Sequence, residues 1–389
     1  MKKRLPFAAK ILILALPILG AVVLLPDWRL FTRAVTYPKN EVTASNWYKP
    51  LRRVAGKPGQ PLPMVQPQEQ TIPPAALKAA VSYAQEQNSS ALLILHRGKL
   101  VLEQYWQGYS SSSLSNSMSM SKSVLALLIG IAIEEGHIGS VQDAVSRYLP
   151  EWSKDSRGDL TIEDLLYMQS GLRNDDRTDT TASDLVKMYL SSDADRVALH
   201  VPQIEPPRQR YDYNNVNSQI LSIILERATG ESYADYLSTR LWQPLQAADA
   251  FVWLDRPGGR AKPFCCLFAA PRDWVRLGQM LLNQGKVGQR QVVPNDWLER
   301  MLAPSPIEPT YGYHIWVKAR TDQFPNVDWA ASTAFVAPDT IYIDGRDLQR
   351  VYVIPSQDLV IVRVGEQPKN WDDSVIPNIL VKSLLQATK

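Results

Sequence analysis

The chain has 389 residues, of which 45% are hydrophobic and 21% charged, with a formal net charge of +3. That suffices for one large core or two modest ones, at ordinary globular charge usage. Lysine and arginine are scattered beyond the N-terminus, which excludes a nucleic-acid-binding footprint.

Lys2, Lys3 and Arg4 precede an apolar run from Ile11 to Pro26, ended by Asp27, Trp28 and Arg29. Counted from Phe7, with Lys10 snorkelling to the interface, the run is long enough to span a bilayer. The positive flank favours the cytoplasmic side, which sends the remainder outside. No small-x-small cleavage site follows. Residues 1–26 are therefore read as an uncleaved membrane anchor rather than a signal peptide, with Trp28 at the interface and the catalytic part periplasmic in a Gram-negative cell. Residues 27–72, rich in proline, read as an extended linker or a strap packed on the domain. The domain itself is placed at 73–389.

A helix is predicted over 75–87, then strands over 91–96 and 100–106 joined by the turn Arg97-Gly98. After a polar run at 110–117 comes a dense apolar helix over 124–133, with Gly136 as its C-terminal stop. It is apolar nearly all round and too short to span a membrane, so it belongs in a core. Residues 140–300 are patterned mostly as helix, at 162–168, 218–228, 233–241, 272–283 and 294–302. Beyond 340 the period changes: strands at 340–343, 349–354 and 359–364, then a last helix at 373–386. Strands at both ends with helices between imply an α/β fold: a sheet built from both ends of the domain, flanked by helices, with a mostly helical insertion.

Cys265 and Cys266 are adjacent, a poor geometry for a disulfide, and read as small buried hydrophobes. The four histidines stand alone, without metal-ligand spacing, so no metal and no cofactor are expected.

The chemistry concentrates at Ser119-Met120-Ser121-Lys122, which opens the buried helix. Residues three apart share a helix face. Ser119 and Lys122 therefore meet at a helix N-terminus, where free N–H groups can hold an oxyanion. There the helix dipole and burial both depress a lysine pKa, freeing an amine that can accept a proton. A second cluster, Tyr213-Asn214-Asn215, enters the helix at 218–228. Tyr213 could lose a proton to become a phenolate base, and Asn215 could orient substrate. Asn217 and Ser218 could equally serve as helix caps there.

Together these pieces resemble the serine β-lactamases and penicillin-binding proteins. Ser119–Lys122 is similar to their first box, and Tyr213-Asn214-Asn215 to the Tyr-x-Asn box of the class C branch. The segments Val145–Pro150, Leu160–Leu172, Arg272-Asp273-Trp274 and Gln349–Pro355 resemble the intervening stretches. The resemblance covers roughly residues 75–387 and is nearest to the esterase and 6-aminohexanoate-dimer hydrolase group. It implies a β-lactamase/transpeptidase-like fold and an acyl-enzyme on Ser119. Lys122 and Tyr213 would share acid–base duty and Asn215 would position an ester or amide substrate. The third box departs from the family's Lys-Thr-Gly: the aligned stretch runs Asp344-Gly345-Arg346-Asp347-Leu348-Gln349. Arg346 is the candidate for its positive charge and Gln349 marks the second oxyanion donor. The weak third box counts against the alternative of a DD-peptidase or β-lactamase. The intact Ser119, Lys122, Tyr213 and Asn215 count against an inactive binding module. Tyr109, Tyr167, Asp175, Asp176, Trp316 and Trp329 are further candidates for the cleft.

Overall fold

The computed structural model describes residues 27–321 and 331–387. At its centre is a five-stranded antiparallel sheet. In spatial order it runs β3 (Lys99–Tyr105), β2 (Ser89–His96), β11 (Leu359–Gly365), β10 (Gln349–Ile354) and β9 (Ile341–Gly345). Both ends of the domain thus meet in one sheet, as the sequence pattern implies.

Successive strand residues face opposite sides. Leu93, Leu95, Val351, Val353, Val360 and Val362 enter one core. Leu92, Ile94, Tyr352, Ile354 and Ile361 enter the other. The first core lies under α9 (Pro271–Leu282) and α3 (Met120–Glu134), the second under α2 (Pro74–Glu86) and α11 (Val375–Ala387). Being covered on both faces, the central strands read as nearly continuous apolar runs.

Helix α3 is buried at nearly every position through Ala132. Its Gly130 lies against Trp297 of α10 (Asn295–Met301): a Cβ there would sit 2.2 Å from the indole. Gly136 follows the helix at φ +77°, as its position in the sequence predicts.

The middle region differs from the reading of mostly helix. A second, four-stranded sheet runs β1 (Leu51–Val54), β5 (Ala250–Trp253), β6 (Leu267–Ala269) and β4 (Ser115–Asn116). Strands of two to four residues carry too little alternation to register in a sequence. Two short helices, α5 (Asp184–Leu190) and α6 (Ala194–Leu199), also escaped the periodicity.

Residues 27–72 lie on the body as a strap, with α1 (Trp28–Val35) and β1 as its regular elements. Arg33 fixes α1 by donating to the carbonyls of Leu190, Ser191, Lys49 and Asp255, at 2.9–3.1 Å. Glu366 Oε1 accepts from the Thr43 N–H at 2.7 Å and from its hydroxyl at 2.5 Å.

The expectation of a membrane-anchored, periplasmic enzyme is corrected. Among the described residues no helix is long and apolar enough to cross a membrane, and the segment 1–26 lies outside the described residues. Trp28, read as an interfacial residue, is an exposed residue of α1 that carries the Arg29 guanidinium 5.0 Å from its ring centroid.

The cysteines are also corrected. They are buried as expected, but Cys265 and Cys266 are joined by a disulfide. Both of their N–H groups donate to the Lys262 carbonyl, in a tight turn that brings the two side chains together.

Candidate active site

The second sheet delivers the nucleophile. Strand β4 pairs with β6, the chain turns at Met118 with φ +48°, and α3 begins after Ser119. A positive φ on a bulky residue is strained, and the surroundings hold it in place. The intervening serines are part of that hold. Ser121 Oγ lies 2.7–2.9 Å from the carbonyls of Met118, Pro263 and Cys265, which share its single proton as acceptors, and Ser117 Oγ donates to Cys265 at 3.2 Å. They tie the 263–266 turn against the helix start, and that turn supplies the acceptor for Lys122. Lys122 Nζ lies 2.8 Å from Ser119 Oγ and donates to the Phe264 carbonyl at 2.6 Å. Burial lowers the Lys122 pKa to about 7, against an opposing pull from the Asp344 carboxylate. The amine is thus substantially neutral at neutral pH.

Helix α7 (Asn215–Thr229) delivers Tyr213, just before its Asn214 cap. The Asn214 side chain accepts from Val216 N–H and donates to the carbonyls of Leu172 and Arg173, so the middle residue of Tyr-x-Asn fixes the loop. Lys122 Nζ stands 5.0 Å from the Tyr213 ring centroid, and the ring stacks on Trp316 at 6.4 Å. Burial, aided by the Asp344 charge, raises the Tyr213 pKa, while its hydrogen bond with Ser119 lowers it. That upward shift favours a protonated hydroxyl over the phenolate considered from the sequence.

The strand end at β9 differs most from expectation. Asp344 pairs with Arg320 at 3.0 Å and with Arg350. Arg350, fully buried, binds Asp373 through Nε and Nη2 at 2.7 and 2.9 Å. Arg346 does line the cleft, but Glu41 of the strap engages its Nε at 2.7 Å. The Gln349 side chain does not line the cleft. It is fully buried and donates from Nε2 to the Asn116 carbonyl at 2.8 Å, bracing β10 against β4. The backbone that passes against the nucleophile turn is Gly345, where a Cβ would sit 2.6 Å from the Ser117 oxygen. Asp347 and Leu348 carry the strand into β10 at φ +61° and +58°.

Two cavities open at Ser119. One, of about 710 Å³, is polar and aromatic, lined by Tyr213, Trp316, Trp371, Asp344, Arg320 and Arg210 among others. The second, of about 520 Å³, is lined by Met118, Leu185, Val186, Tyr189, Leu190 and Phe264 together with the polar run 178–181, and Asn215 and Arg346 also reach it. Asn215 thus lines the second cavity and Tyr213 the first. Of the further cleft candidates, Trp316 and Asp176 line the polar cavity; Tyr109, Tyr167 and Asp175 line neither, and Trp329 lies outside the described residues. Among the described residues no cluster of metal-ligating side chains occurs.

Sequence reasoning missed Phe264, Arg320, Glu41 and His314. His314 packs beneath the site, its ring nitrogens 3.3–3.4 Å from the Lys122 and Leu165 carbonyls, and burial lowers its pKa to about 3. Asp344 carried a signal, a single carboxylate ending an apolar strand. Phe264 acts through its backbone and Glu41 through tertiary contact, so neither had one.

A family model described as Beta-lactamase matches residues 77–384. A 6-aminohexanoate-dimer hydrolase of Paenarthrobacter ureafaciens is 27% identical over 299 residues, covering 73% of this chain and 74% of that protein. A Bacillus anthracis structure assigned as a 6-aminohexanoate-dimer hydrolase superposes with a TM-score of 0.73 at 20% identity, over 90% of this chain and 94% of its own. A family VIII carboxylesterase does so with a TM-score of 0.61 at 14% identity, over 83% and 98%.

Proposed function

The chain belongs to the Beta-lactamase family and is a hydrolase of the esterase and amidase type, and we propose that it cleaves its substrate through an acyl-enzyme on Ser119. The observation that carries the reading is the Lys122 amine, buried, depressed to about 7 and 2.8 Å from Ser119 Oγ. Lys122 takes the hydroxyl proton as Oγ bonds to the carbonyl carbon. The oxyanion is held by the N–H of Ser119 at the helix start and by the backbone at Gly345–Arg346. As the bond to the leaving oxygen or nitrogen breaks, that atom keeps the electron pair and takes a proton from Tyr213, which Lys122 reprotonates. Water then repeats the sequence on the acyl-enzyme and releases the acid.

The strand end supports an ester or amide without a carboxylate beside the scissile bond. Where the family carries a free cation, this chain presents Asp344 and an Arg346 already paired with Glu41. That arrangement disfavours the penicillin and cell-wall-peptide reading. A fluorophosphonate probe is expected to label the purified protein at Ser119, and p-nitrophenyl acetate to be hydrolysed. Labelling or turnover that survives Ser119→Ala would refute the assignment.

A further inference from the structure

The two cavities at Ser119 differ in chemistry, and the proton path gives them a direction. The leaving group must be protonated as it departs, and Tyr213 lines only the polar cavity. The leaving group therefore exits there. The acyl group, held on Ser119 Oγ, extends the other way, past Met118 and Phe264 into the apolar cavity. At about 520 Å³ that space is of ligand-pocket size and far exceeds an acetyl group.

We propose that this cavity is an acyl pocket for an apolar chain longer than acetyl, and that the strap 27–72 supplies its outer wall. The assignment rests on the Ser119 reading and adds the substrate class. Ala34 and Tyr37 come from the strap, with Glu41 closing the wall onto Arg346. Leu185, Val186 and Leu190 of α5 form the facing side. The strap is a built element here: Arg33 is buried and donates to four carbonyls, two of them at Leu190 and Ser191 at the end of α5. It therefore holds both walls in register. The strap lies before the residues matched by the family model, 77–384, while the facing wall lies within them.

The test compares methyl hexanoate with hexyl acetate, which place the same chain on opposite sides of the scissile bond. Wild type is expected to favour methyl hexanoate in kcat/KM by about tenfold or more, the scale set by methylenes entering an apolar pocket. Ala34→Trp, filling the pocket from the strap, is expected to collapse that ratio, and Val186→Trp, filling it from α5, does the same if the first variant fails to fold. A wild-type preference for hexyl acetate, or a ratio unchanged in the folded variants, overturns the proposal. Probe labelling at Ser119 and p-nitrophenyl acetate turnover separate the cases. With both present, an adverse ratio strikes the pocket alone. With both absent, the Ser119 reading falls and the pocket with it.

Discussion

Two stretches of backbone flank Ser119, and they are built on opposite plans. The helix start at 117–122 sets its two reacting groups by local spacing and leans on one distant segment, the chain at 263–267. Helical spacing places the nucleophile and its amine on one face, while Ser117 and Ser121 fasten the turn that carries Lys122's acceptor. The strand end at 344–349 depends on distant chain for Asp344, Arg346 and Gln349. Asp344 is balanced by Arg320 and Arg350, Arg346 by Glu41, and Gln349 by the Asn116 carbonyl. The reacting groups are thus encoded locally, while the groups that decide what approaches them are distributed. Mutations on the first plan should act on the chemical step, and those on the second on geometry and selectivity.

The largest effect is expected at Lys122. Lys122→Met keeps the length of the side chain and removes the base, and should lower kcat/KM by about 10³-fold. Lys122→Arg should be no better, because a guanidinium does not deprotonate. The sign of the pH dependence follows from the depressed pKa. Below about 7 the amine is protonated and cannot accept from Ser119; above it, activity is present. Steady-state profiles with a neutral ester should therefore rise through a limb near that pH. Tyr213→Phe should lower the whole profile and leave the limb where it is. A limb that disappears in Tyr213→Phe would assign it to the tyrosine or to the coupled pair, and would erase the local character of the first plan.

Gly345 is where the two plans touch. A Cβ there would sit 2.6 Å from the Ser117 oxygen and 3.0 Å from Met120 Cγ, so Gly345→Val forces the strand end away from the helix start. Overpacking of this kind costs about 1–3 kcal/mol, and a displacement of the site can cost about 10²-fold in rate. Urea unfolding and kcat/KM measured on the same protein check both. Wild-type activity in Gly345→Val would show that this contact does not set the catalytic geometry.

The same division explains what the sequence disclosed. The central sheet, the buried helix and the Ser119–Lys122 pair were legible because each rests on short-range periodicity. Tyr213 was legible as a residue, but its protonation state was not, since burial reversed the expected shift. The four-stranded sheet was hidden by the brevity of β4, β5 and β6. The strap was one of two readings of residues 27–72, and the choice between them was hidden because prolines suppress regular pattern while Arg33 fastens it by side-chain contacts. Gln349 was named from its place beside the third box, yet its side chain turns into the core, a choice made by packing against Asn116. Arg346 faces the cleft as expected, but its neutralisation by Glu41, some three hundred residues earlier, lies beyond any local reading.

That last pairing carries the smallest expected effect. Arg346 is 60% exposed at its side chain while Glu41 is 8% exposed, so the pair is partly screened by water. Exposed pairs contribute about 0–1 kcal/mol, which limits the consequence of releasing Arg346 to about fivefold. Glu41→Gln keeps the shape of the strap wall and frees the guanidinium toward the cleft. It is expected to raise the kcat/KM ratio of a carboxylate-bearing ester over its neutral methyl ester, and the gain should shrink as salt is added. Adding Arg346→Ala to Glu41→Gln should remove the gain. If the ratio stays at its wild-type value in Glu41→Gln, Asp344 rather than the Glu41 pairing excludes anionic substrates, and the exclusion would then reside in the sheet rather than in the strap.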